Sequence, residues 1–64
     1  MFETVAETLV VFQEDKTIQD VLCTVGSAII SLADRPFTMD VAFAVAEVLR
    51  GAEKRIKEIT QTAQ

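Results

Sequence analysis

Cys23 is the only cysteine in this 64-residue chain, and the chain has no histidine. That pairing leaves few ways to build a stable fold. A single cysteine forms no intrachain disulfide. One cysteine without histidine also cannot supply the ligand set of a structural zinc site. A chain of this length buries only ~60% of the surface its unfolded form exposes. Folds this small are usually reinforced by disulfides, by a metal or by association. With the first two removed, association remains. The chain is therefore expected to be one helical domain over residues 1–64 that completes its core as a homo-oligomer, a dimer or higher.

Composition agrees that there is a core to complete. Half the residues are hydrophobic, with only two glycines and one proline, so the chain is not of the disordered class. The longest charge-free run, Val21 to Ala33, falls short of the ~20 apolar residues of a membrane-spanning helix. Glu3 and Glu7 precede any basic residue, unlike a secretory leader. The lone cysteine suits a reducing compartment, so the expectation is a cytoplasmic protein with no membrane partner. Ten acidic residues against six basic give a net charge of −4. Acid gathers at the front (Glu3, Glu7, Glu14, Asp15, Asp20), and base toward the end (Arg50, Lys54, Arg55, Lys57). Such a division suits head-to-tail or antiparallel contact between chains, or simply two solvated faces.

Apolar residues recur at helical spacing throughout, predicting an all-α chain of three helices. The first spans about Phe2 to Glu14. Phe2, Val5, Ala6, Leu9, Val10 and Phe12 share one side, and Val11 falls off that face. Thr17 is placed to cap the second helix, Ile18 to Ala33, with Asp20 in the capping-box position. Ile18, Val21, Leu22, Val25, Ala28, Ile29 and Leu32 form a wide stripe there, widened further by Cys23, Gly26, Ile30 and Ala33. The polar stripe is narrow: Asp20, Thr24, Ser27, Ser31 and Asp34. A helix so largely apolar is expected at the centre of its bundle. Gly26 is expected to let a neighbouring helix approach closely. Pro36 breaks the chain, and Thr38 caps a third helix running from Met39 to about Thr60.

The third helix carries a regular seam of Ala42, Val45, Leu49, Ala52, Ile56, Ile59 and Ala63, alternating three and four residues apart. From Val41 to Ala46 every residue is apolar, a surplus expected to be met by another chain. Beyond Arg50 charges fill everything but the seam, with Glu53–Lys57 and Lys54–Glu58 at pairing distance. This helix is longer than the other two, so its end should overhang them. Ile56 and Ile59 sit on the overhang, where a second chain would cover them. Val45, Leu49, Ala52, Ile56 and Ile59 are accordingly the expected self-association residues.

Catalytic chemistry has little to work with. No histidine serves as base, and no lysine lies one helical turn from Cys23, which is expected to be a buried, inert thiol. Glu3 and Glu7 lie one turn apart without the Glu-x-x-His motifs of a di-iron bundle. Neither a calcium loop nor a phosphate loop is present. The expectation is a protein that is no enzyme and holds no cofactor or metal. With net negative charge and few clustered bases, a nucleic-acid partner is not expected either. Phe43 lies off the seam near Glu47, Arg50 and Lys54. It is either an interface anchor or packed beneath the Pro36–Phe37 loop or the first helix. Together these readings predict a small regulator, adaptor or inhibitor acting through protein–protein contacts, with Phe43 and Arg50 facing an outside partner. The alternative is an oligomer that holds an anionic small molecule such as a nucleotide between subunits through Arg50, Lys54, Arg55 or Lys57.

Overall fold

The computed structural model describes residues 5–62. Three helices account for most of them: α1 (Val5–Glu14), α2 (Ile18–Ala33) and α3 (Met39–Thr62). The expected contributions of Phe2, Glu3 and Ala63 lie outside the described residues.

The breaks fall where local chemistry places them. Thr17 has extended backbone (φ −126°, ψ 159°), and its hydroxyl accepts from the Asp20 backbone N–H at 3.1 Å. That bond satisfies one of the donors a helix start leaves open. Thr38 does the same for α3, accepting from the Val41 N–H at 3.3 Å. Between them, Pro36 denies the chain a backbone donor and keeps Arg35 out of helical conformation. At the other end of α2, the Arg35 N–H closes the last turn on the Leu32 carbonyl at 3.1 Å.

Two residues fix how the helices lie. Arg55, far along α3, donates from Nε (3.1 Å) and Nη2 (2.8 Å) to the backbone carbonyl of Asp15. Asp15 opens the three-residue connector that leads into α2, so α2 starts near the far part of α3 and the two run antiparallel. Gly51, one turn before Arg55, lies under Leu9 and Phe12 of α1. Leu9, Phe12 and Asp15 thus follow α3 in its own direction, so α1 runs parallel to α3. Both shorter helices lie chiefly on α3, and their mutual contact is the smallest of the three. The shape is elongated, 42 × 19 × 15 Å, as a 24-residue helix of about 36 Å requires. The expectation that α2 is the central helix is therefore corrected. Centrality goes to the longest helix, because only α3 has length enough to serve both others.

The core is Phe12, Val21, Ala28, Val48 and Ala52, with Leu9, Val25, Ile56 and Ile59 packed against it. Val48, which the seam omits, is buried, whereas Leu49 on the seam is 51% exposed. The face α3 turns inward is thus rotated from the seam, because α1 and α2 together approach from the Val48 side. Ile56 and Ile59, expected to meet a second chain, are half-buried and pack against this core from its far end. The Arg55 bonds to the Asp15 carbonyl put the start of α2 about level with that residue, so α3 continues past it to Thr62.

In α1, Thr8 is buried (1% exposed), Val11 is half-buried and Val10 lies exposed, which reverses their expected places. On α2, Thr24 of the polar stripe is buried at 7% exposed, while Ile18, Leu22 and Ile30 of the apolar stripe are open. The Thr24 hydroxyl donates to the Asp15 carboxylate at 2.7 Å, with the Asp20 carbonyl at 3.1 Å, so its burial costs no unmet hydrogen bond. Among the described residues every buried side-chain nitrogen or oxygen has a partner.

Candidate interaction surfaces

The helix faces decide which side chains the chain keeps for itself and which it presents. Successive residues turn about 100° round a helix. Thr8 lies one such step from Leu9. Leu9 faces Gly51 of α3, so Thr8 turns toward α2. Buried Thr24 and half-buried Ser31 are the polar side of α2, and Thr24 reaches the α1–α2 connector at Asp15. Helix α1 therefore sits over the polar side of α2. The apolar side of α2 is divided. Val21, Val25 and Ala28 enter the core, while Leu22 is 57% exposed.

The α3 residues expected to self-associate separate in the same way. Ala52 is buried, and Ile56 and Ile59 pack on the core. Val45 is half-buried and Leu49 exposed. Leu49 lies about 160° round α3 from Gly51, the residue under α1. It therefore belongs to the side of the α2–α3 hairpin that α1 leaves uncovered.

Phe43 is 65% exposed, so it is not packed beneath the Pro36–Phe37 loop or α1. Phe37 and Met39 are exposed as well, so the start of α3 presents several large apolar side chains. The described part of α1 begins too late to reach it: Leu9 is already level with Gly51, which puts Val5 near Glu47. Arg50 pairs with Glu47 at 2.6 Å and Lys57 with Glu53 at 3.2 Å, all largely exposed. Exposed pairs of this kind contribute little to stability. Glu58 pairs with Arg55 at 3.3 Å. Arg55 is the structural member of the group, its side chain 17% exposed and its guanidinium holding the α1–α2 connector.

A groove of about 260 Å³ runs between α1 and α3. Leu9, Phe12 and Gly51 give it an apolar floor. Gln13, Glu47, Arg50, Lys54 and Arg55 line the rest. Arg50, Lys54 and Arg55 are thus brought together within one chain, while Phe43 and Lys57 stay outside.

Two expectations about single residues are overturned. Cys23 is exposed, because it lies on the outward side of α2. A Cβ added at Gly26 would meet nothing within 4 Å, so no helix of this chain approaches there. The close approach is at Gly51, where an added Cβ would strike Leu9 Cδ2 and stand 3.2 Å from two ring carbons of Phe12. Sequence reasoning passed over Gly51. Its signal was position: a glycine beside the seam in the middle of the longest helix, next to Ala52.

No group of three or more metal-ligating side chains occurs among the described residues. Among the described residues no helix is long and apolar enough to cross a membrane. Comparison with known proteins finds no matching family, curated relative or solved structure.

Proposed function

We propose that this protein is a small, non-enzymatic helical oligomer that acts through protein–protein contacts as a regulator, adaptor or inhibitor in the cytoplasm. One observation carries the reading: α1 occupies the polar side of α2, leaving Leu22, Leu49, Phe43 and other large apolar side chains in solvent. A chain folded only for itself gains more by covering its apolar faces first, at ~1.5–3 kcal/mol for each large side chain buried. Aromatic residues beside arginine are common anchors of protein interfaces. Phe43, with Arg50 two turns further along the same side of α3, suits a partner other than the chain itself.

Sedimentation equilibrium over a wide range of protein concentration tests this reading. A mass of two or more chains is expected, falling toward the 7.0 kDa monomer on dilution. A monomer at every concentration refutes oligomer formation.

A second reading is favoured by the α1–α3 groove, which gathers Arg50, Lys54 and Arg55 around an apolar floor. It suits an anionic small molecule held within one chain, in place of the site between subunits expected from sequence. Binding by the native state raises the melting temperature, with ~2.7 kcal/mol gained at a hundred times the dissociation constant. A flat thermal-shift screen with millimolar nucleotides and inorganic phosphate rules it out.

A further inference from the structure

We propose that a second copy of this chain docks on the face of the α2–α3 hairpin opposite α1, centred on Leu22 and Leu49, as a two-fold symmetric pair. The inference rests on the oligomeric reading above and names the surface that carries it.

Position comes first. The turn at residues 34–38 folds α3 back along α2, and Leu22 and Leu49 stand at nearly equal distances from Pro36. They therefore lie level on neighbouring helices. Leu49 points away from the Gly51 side, where α1 lies. Leu22 lies about 160° round α2 from Thr24, on the side turned from the α1–α2 connector. Both are more than half exposed. Ile29, Ala42 and Val45, each half-buried, continue the same face along the hairpin.

Charge then selects the occupant. A two-fold interface sets the same patch against itself, so a charged patch repels its own copy. This face carries no charge along α2 from Val21 to Ala33. On α3 its nearest charge is Glu53, already paired with Lys57 at 3.2 Å. A neutral, aliphatic face is self-complementary and gives a charged partner nothing to pair with.

The test compares Leu22→Glu and Leu49→Glu with Phe43→Glu as a control, by sedimentation equilibrium, with helicity followed by circular dichroism. Each leucine variant should weaken dimerisation by about a hundredfold or more, because like carboxylates meet across the two-fold axis. Phe43→Glu should change it by less than about threefold. A second measurement does not depend on the charged variants folding. In a Cys23→Ser background, Leu49→Cys should give a covalent dimer with a short bismaleimide, and Phe43→Cys should not. A wild-type dimer broken by Phe43→Glu and untouched by the leucine variants overturns this face while keeping the oligomer. Cross-linking at Phe43→Cys and not at Leu49→Cys overturns it in the same way. A wild-type monomer throughout overturns both.

Discussion

The two glycines make a matched pair of probes, because both lie inside helices and neither has a positive φ. Replacing either with alanine recovers the same backbone term, ~1 kcal/mol of helix propensity. What differs is the space. At Gly26 the new methyl meets nothing within 4 Å, so the gain should appear nearly whole. At Gly51 it strikes Leu9 Cδ2 and crowds the Phe12 ring at 3.2 Å. The half-buried leucine has room to turn aside, whereas the phenylalanine, 1% exposed, has almost none. Overpacking of a fixed core costs ~1–3 kcal/mol, more than the propensity gain. Gly26→Ala should therefore stabilise by ~0.5–1 kcal/mol and Gly51→Ala destabilise by about 1 kcal/mol. In a domain of this size 1 kcal/mol moves the melting temperature by ~4–8 °C. Thermal and urea unfolding should be followed at one low protein concentration, where assembly adds little to apparent stability. The two variants should then melt on opposite sides of the wild type. If Gly51→Ala stabilises as much as Gly26→Ala, α1 does not press on α3 at that point. The placement of α1, and with it the open hairpin face, would then be wrong.

Two further substitutions probe the joints. Arg55→Ala removes two hydrogen bonds from the Asp15 carbonyl and should cost about 2 kcal/mol in urea unfolding. Arg55→Lys should recover only part of that, since a point charge does not reproduce the guanidinium fork. Thr17→Ala should cost ~1 kcal/mol through loss of the α2 cap. Thr38→Ala should cost less, its bond to Val41 being longer at 3.3 Å; the reverse order in the same unfolding measurement would refute the cap assignment.

What the sequence determined by itself is local. Thr17, Pro36 and Thr38 set the helix boundaries, because a cap or a missing N–H acts through the nearest turn of backbone. The apolar spacing set the helical class for the same reason. One cysteine and no histidine leave these 64 residues without the ligands of a Cys/His zinc site or the partners of an intrachain disulfide, a matter of atoms present. The rest waited for the tertiary structure. α2 has an apolar stripe wider than one neighbour covers, so periodicity could not say which part of it faces inward. The register of the α2–α3 hairpin decided that, placing Val21 in the core and Leu22, the next residue, in solvent. The seam on α3 was read correctly as apolar, but α1 and α2 approach from the side of Val48. Ala52, Ile56 and Ile59 therefore serve the chain's own core, while Leu49 faces outward. A helical wheel does not say which of Gly26 and Gly51 meets a neighbouring helix. Only the line along which α1 crosses α3 makes one of them a contact and leaves the other open. The size argument that began with a lone cysteine concerned how much surface such a chain must cover, and the structure decided where that surface lies.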